Sequence, residues 1–400
     1  VVTAELDQAR ALIAPSLGAV TYTVGPEQIQ NTPQGENAPF QQVLLRMPGV
    51  VMDSFGQEHV RGEHGNLTYR INGVILPEPL SGFGQELDTH LIDSVTLIDG
   101  SLPAQFGFRT AGVIDITAKS GASLTGGSLS LYGGSYDTVD SELEYGGTAG
   151  PWDYFVSTSQ KHNNLGIENP IPGHDPIHDQ TDQERAFAYL SYRFDDTSRV
   201  SLLVNASYAD FQIPNVPDQT PGFNLVGNPT EASADLNENQ NEQQYYTVVS
   251  YQKSTDALSL QASLFTQYGQ IYFTPDSIGD LLYQGVAAKV FNSFLTNGLQ
   301  LDSSYILNDW HTLRFGVLTD YTVEKLGTDS EVFPQDPANP GAQTSDVPFT
   351  ISDQSRNDAW MTGFYVQDEW HLSRSLTLNY GLRYDRFDSN FDDESQFSPR

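Results

Sequence analysis

The run SLTLNYGLRYD, residues 375–385, alternates without a break. Leu376, Leu378, Tyr380, Leu382 and Tyr384 fall on one side, and Thr377, Asn379, Gly381, Arg383 and Asp385 on the other. Successive side chains of an extended strand point to opposite faces, so one face of this segment wants hydrocarbon and the other wants water. RVSLLVNASYADF repeats the pattern, with Val200, Leu202, Val204, Ala206 and Tyr208 against Ser201, Asn205 and Ser207; Leu203 is the exception. ALSLQASLF (Leu258, Leu260, Ala262, Leu264) and WHTLRFGVLTDY (Leu313, Phe315, Val317, Tyr321 against Thr312, Arg314, Asp320) follow it too. Roughly eleven such segments come after Gly126, several of about 10 to 15 residues, whereas a soluble strand averages about 5 to 6.

The connections alternate as well. Tight turns at AGPW, FDDTSR, KSTDA, LNDW and LSRS take turns with long polar loops near 163–183, 212–243, 272–286 and 326–356. Short turns at one end and long loops at the other are the mark of a transmembrane β-barrel. A hydrophobic fraction of only 38%, with 34 Gly, 20 Tyr and 21 Phe, suits a barrel whose inside is polar. A soluble propeller or a stack of sandwiches would have shorter strands and more even loops. No run approaches the roughly 20 apolar residues of a spanning helix.

The first part of the chain reads differently. Residues 1–124 carry 13 acidic and 6 basic side chains, net −7, which leaves −25 for the rest. In NAPFQQVLLRMPGV, Leu44, Leu45 and Met47 lie on a short amphipathic helix stopped by Pro48 and Gly49. Short strand-like runs follow, HVRG, LTYRINGVILPE, SVTLIDG and GVIDITAK, separated by Gly, Asn and Pro. The expected organisation is a small α+β unit over 1–124 and antiparallel barrel strands over 125–400.

Several function classes drop out. A net charge of −32 would repel nucleic acid, and a chain with no cysteine has neither a disulfide scaffold nor a thiolate metal site. GxSxG, HExxH and a phosphate-cradling glycine loop are all missing from the sequence, so no enzyme and no cofactor is read from it. In GHDPIHDQTD, His174 and His178 stand four apart beside Asp175 and Asp179, but Pro176 argues against a helix between them. That segment reads as a solvated loop, and no metal site is expected.

VTLIDGSLPAQFGFRTAGVIDITAKSG, residues 95–121, resembles the end of the plug domain of TonB-dependent outer-membrane receptors. VLLRMPGV, HVRG and YRINGVILPE are similar to three further plug landmarks in the same order, and GFYVQDEWHLSRSLTLNYGLRYDRFD is similar to paired barrel strands of that family. The resemblance implies an α+β plug, residues 1–124, followed by an all-β antiparallel transmembrane barrel of about twenty-two strands. The eleven or so strands read here then make the chain an N-terminal portion of a longer receptor, because an open sheet leaves unpaired edge amides in lipid. It further implies a Gram-negative outer-membrane location, with lipid around the barrel. The implied function is active uptake of a scarce solute (a siderophore, cobalamin, a saccharide or similar) energised by the periplasmic coupler TonB.

Site residues follow from the same resemblance. Val1, Val2, Thr3 and Ala4 look like the end of a TonB box, the extended segment that the coupler captures by strand addition. Glu78, Phe83, Gln85 and Glu86 lie where plug apices contact ligand. Asp99 stands where many members have arginine, and it is expected to seek a donor on the plug itself. Arg61, in HVRG, needs a carboxylate partner inside a lumen, and the phase of Trp360, Phe364, Val366, Trp370 and Leu372 turns Glu369 inward to supply it. Two other readings stay open: a passive porin-like channel, which has no need of a plug, and a hydrolase with residues scattered along a barrel.

Overall fold

The computed structural model describes residues 2–11, 13, 19–52, 58–64, 66–77, 87–109 and 111–400. The chain opens with helix α1 (Val2–Ala11), strand β1 (Ala19–Val24), and the short helices α2 (Pro26–Gln30) and α3 (Phe40–Leu44). Strands β2 (Val50–Met52), β3 (Glu58–Val60) and β4 (Glu63–His64) form a small antiparallel sheet. Strands β5 (Leu67–Ile71), β6 (Val74–Leu76), β7 (Ile92–Gly100) and β8 (Gly112–Ala118) join β1 in a five-stranded sheet ordered β1-β7-β8-β5-β6.

The turn between β5 and β6 shows why the sequence folds this way. Asn72 and Gly73 both adopt positive φ (50° and 79°), the geometry that a two-residue hairpin turn demands and that Asn-Gly supplies with least strain. Behind the sheet, Val43 and Leu44 of α3 and Met47 pack with Leu97, Ile114 and Ile116, all at most 3% exposed. Of Leu44, Leu45 and Met47, expected together on an amphipathic helix, only Leu44 lies within α3; Leu45 caps it and Met47 follows it, still buried.

From Gly126 the chain becomes one antiparallel sheet of twelve strands. These are β9 (Gly126–Gly133), β10 (Val139–Ala149), β11 (Trp152–Asn163), β12 (Thr181–Asp195), β13 (Ser198–Gln212), β14 (Asn239–Ser254), β15 (Leu258–Thr274), β16 (Val286–Asn308) and β17 (His311–Val332). After a loop hairpin of β18 (Gln335–Asp336) and β19 (Asn339–Gln343), the sheet closes its run with β20 (Phe349–Ser373), β21 (Leu376–Ser389) and β22 (Asp393–Pro399). Every strand pairs with its sequence neighbour within that sheet, and β9 and β22 lie at its two edges. No described helix is long and apolar enough to cross a membrane; the strands take that role.

The two faces of the sheet separate as the alternation requires. Leu378, Tyr380 and Leu382 point outward at 44–46% exposure, while Arg383 is 3% exposed on the inner face. On β20, Trp360, Phe364 and Val366 are exposed outward, and Trp370 follows in the same phase. Ten residues of a tilted strand separate the two tryptophans, a height of about 25 Å, which matches the apolar band of an outer-membrane barrel between its aromatic girdles. Leu203, the one break in its segment, faces inward at 4% exposure and belongs to the core shared with the plug.

Two expectations are corrected. The loops are shorter than their polar composition suggested, 164–180, 213–238, 275–285 and 333–348, because the flanking strands run on into the polar sequence, most of all β16, β17 and β20 at 23, 22 and 25 residues. Beyond the membrane both faces of a strand are polar, and the alternation that marks it is lost. The strands number twelve against the roughly eleven that the alternation marks, the last being β22 over DESQFSP.

Candidate functional site

The plug sits against the inner face of the sheet, and polar side chains make the seam. At its centre Asp302 of β16 takes an ion pair from Arg70 of β5 at 3.1 Å, and hydrogen bonds from Tyr365 Oη at 2.7 Å and Gln300 Nε2 at 2.5 Å. Gln300 also donates to the Gly73 carbonyl at 2.9 Å and accepts from the Ile75 amide at 2.9 Å. Arg70 lies over the Phe106 ring at 5.3 Å. Tyr246 of β14 donates to the Ile75 carbonyl at 2.8 Å, and Gln261 of β15 to the Asn72 carbonyl at 3.0 Å. The β5–β6 hairpin is thus held at its tip by barrel side chains, because a buried carbonyl left bare would cost about as much as a lost hydrogen bond.

A second contact lies under the stretch QFGFR. Arg383 of β21 donates to the carbonyls of Gln105 (2.9 Å) and Ala104 (3.3 Å), pairs with Asp385 (2.7 Å) and covers the Phe108 ring. Gly107 is required there: a Cβ would stand 1.8 Å from Arg383 Nε. Gly121 is required in the same way, since its Cβ would meet the Gly147 carbonyl oxygen of β10 at 2.0 Å.

Two further clusters fasten the other side. Lys119, just after β8, pairs with Glu36 (2.9 Å) and with Glu144 of β10 (2.8 Å). Burial would discharge its ammonium, but Glu36 and Glu144 outweigh that and hold its pKa above the ordinary lysine range. Asp88, capping a single helical turn (Thr89–Leu91), and His90 within it meet Glu142 of β10, Ser159 of β11 and Arg185 of β12.

Helix α1 lies at the end of the sheet that carries the short turns. Asp7 pairs with Arg199 of β13 at 2.5 Å, Gln252 of β14 donates to the Leu6 carbonyl, and Leu6 is 2% exposed. Between α1, the plug and the wall is a cavity of about 260 Å³, lined among others by Asp7, Arg10, Arg70, Asp115, Gln261 and Asp302. Burial pushes the Asp115 carboxyl above its usual range, against the pull of Arg70 and Arg10.

At the opposite end the loops form a packed cap. Leu225, Leu281, Leu282, Ala287 and Phe333 share a small core, with Phe223 stacked on Phe333 at 6.0 Å. Beside it Gln284 Nε2 spans Glu238 (3.2 Å) and Asp280 (3.4 Å). Burial, with Glu238 alongside, pushes the Asp280 carboxyl up to about 9.

The residues singled out in the sequence fare unevenly. Arg61 does not meet Glu369: its guanidinium holds Asp99 at 2.9 Å within the plug, and Glu369 pairs with Arg314 of the neighbouring strand at 3.0 Å. Arg314 stands two residues off direct register from Glu369, on the same face, so that carboxylate has a partner on its own wall, and the donor expected for Asp99 is Arg61. Glu78, Phe83, Gln85 and Glu86 lie outside the described residues, as does Val1. The backbone of Val2, Thr3 and Ala4 is not extended but forms the first turn of α1. His178 is engaged by the Ile213 carbonyl and by Asn237, and His174 by Asp175, so the two histidines serve separate contacts. Sequence reasoning missed Arg70, Asp302, Tyr365 and Arg383. A charge in the middle of the apolar run LTYRINGVI was the available signal for Arg70.

A family model described as an outer membrane beta barrel domain matches residues 341–399. The fold is similar to the ferric yersiniabactin uptake receptor FyuA of Yersinia pestis, with a TM-score of 0.68 at 15% identity, covering 97% of this chain and 61% of that one. It is similar to the FrpB iron transporter of Neisseria meningitidis (TM-score 0.68, 16% identity, 95% and 60% covered). It is similar also to the siderophore receptor PiuA of Acinetobacter baumannii (TM-score 0.63, 13% identity, 97% and 62% covered). The chain spans less than two thirds of the length of each.

Proposed function

We propose that this chain, which has the plug-and-barrel fold of the TonB-dependent outer-membrane receptors, is the N-terminal part of a receptor that takes up a scarce solute into the periplasm. The observation that carries the reading is the plug seam around Arg70 and Asp302. A lumen occupied by a separately folded sheet, fastened by polar contacts beside the apolar patch that Phe155, Leu203 and Val248 share with it, is a closure that can be opened by force and closed again. Each contact exchanges for water at modest net cost, about 0.5 to 1.5 kcal/mol for a neutral hydrogen bond. A permanently open pore gains nothing from such a seal.

The coupler in this reading is TonB, pulling on the N-terminal segment Val1–Ala4. Strand addition needs extended backbone, so capture requires the first turn of α1 to unwind, with Asp7–Arg199 holding the rest of the helix in place. The solute class favoured is a ferric siderophore, on the named ligands of the similar structures; Glu78, Phe83, Gln85 and Glu86 are its proposed plug contacts. The reading gives the protein no catalytic step.

The test is uptake by cells carrying the full-length receptor, over a panel of labelled ferric siderophores, cobalamin and oligosaccharides, with and without TonB. Uptake of one panel member that stops without TonB while surface binding persists is the expected result. Equal uptake in both strains would return the passive-channel reading.

A further inference from the structure

We propose that Asp88, His90 and Glu142 form a binding site for a first-row divalent metal ion, of the Mn²⁺ class, that bridges the plug and strand β10. The three ligand atoms converge: His90 Nδ1 lies 2.9 Å from Asp88 Oδ1 and 2.8 Å from Glu142 Oε2. One imidazole nitrogen carries at most one hydrogen, and here it points to Asp88. Glu142, with its side chain 2% exposed, keeps the 2.8 Å ion-pair contact with that nitrogen but receives no aligned hydrogen bond at either carboxylate oxygen. A buried carboxylate without a donor is costly, and a cation between the three groups satisfies all of them at once.

The donor set points to the kind of ion. One imidazole and two carboxylates suit Mn²⁺ and its neighbours, with water in the open positions.

The surroundings are built to match. Asp88 Oδ2, the oxygen turned away from the site, takes the Ser159 hydroxyl at 2.7 Å and faces Arg185 at 3.6 Å, which fixes the carboxylate with Oδ1 toward His90. A narrow cleft leads in past Glu36, Asp140, Lys161 and Arg185. Glu142 lies toward the end of β10 away from the short turn at Gly150–Pro151, so a bound ion would pin the plug at that end.

The experiment is Mn²⁺ titration of the purified full-length receptor in detergent, followed by electron paramagnetic resonance. The expected result is one tightly held Mn²⁺ per receptor whose electron spin echo is modulated by a single ¹⁴N nucleus. The bound ion should be lost in Glu142→Gln, and the nitrogen modulation in His90→Gln. The wild-type echo stands independently of whether either variant folds. No bound equivalent, binding without nitrogen coupling, or binding undiminished in a folded Glu142→Gln would overturn the site and leave the three residues as an ion-pair cluster with Arg185.

Discussion

Gly107 shows how much a single position constrains the seam. Arg383 passes where its Cβ would stand and is itself held by two carbonyls and Asp385, so it has nowhere to retreat. Gly107→Ala should lower the stability of the full-length receptor by about 1 to 3 kcal/mol, as overpacking does, whereas Gly25→Ala, with open space around it, should stay within about 0.5 kcal/mol. Denaturant titration of both variants measures the difference, and equal midpoints would remove the argument. Asp280 offers a pH test at the same scale. Its carboxyl is raised from 3.8 to about 9, so the folded cap binds a proton that the opened cap releases. Stability from this group is complete below about pH 4 and is lost as pH rises through 9. Hydrogen exchange in residues 279–283 should therefore speed up between pH 6 and 9, after correction for intrinsic rates, and Asp280→Asn should flatten that excess. Arg61 marks the limit of residue-scale reading: its need for a carboxylate was legible, but three-dimensional proximity chose Asp99 over Glu369.

At the scale of elements, the alternation carried most of the information. It located the outward faces of β13, β15, β17 and β21, and even the exception at Leu203 was meaningful, since an apolar residue on the inner face marks where the plug packs. Depth within the membrane needed the register. Leu378 lies opposite Trp370, at the girdle, while Leu382 lies opposite Val366, midway between the two tryptophans of β20. Leu382→Lys should thus cost about 2 to 4 kcal/mol, and Leu378→Lys only about 0 to 1. Folding titrations into lipid vesicles with the complete barrel compare the two, and a larger loss at Leu378 would contradict the depth assignment. Helix α1 was not legible, because its helical pattern is weak and its partners, Arg199 and Gln252, lie about two hundred residues away in sequence. Its position makes Val2→Pro informative. Proline is tolerated in the first helical turn, so the docked state should stand, while strand addition loses a backbone donor. Uptake should fall and surface binding persist; normal uptake would separate this segment from TonB.

For the whole molecule, the account rests on a plug that must move, or open, relative to the barrel wall. The order of the plug landmarks and the asymmetry of turns and loops were enough to read two units and a membrane setting from sequence. The seam was not readable, because Arg70, Asp302, Tyr365 and Arg383 come from four strands scattered over three hundred residues, and all but Arg70 look like ordinary positions in their own strands. That seam is also where the mechanism can be stopped. The chain contains no cysteine, so Ile75→Cys with Gln300→Cys introduces the only thiol pair into this part of the receptor. The Ile75 amide already bonds the Gln300 side chain at 2.9 Å, which places the two positions within reach of a short, reducible bifunctional thiol reagent. In cells with the full-length receptor, cross-linking should block uptake of the solute identified by the uptake panel, leave surface binding intact, and be reversed by reductant. Undiminished uptake through a fully cross-linked receptor would contradict the claim that transport requires the plug to leave its seat.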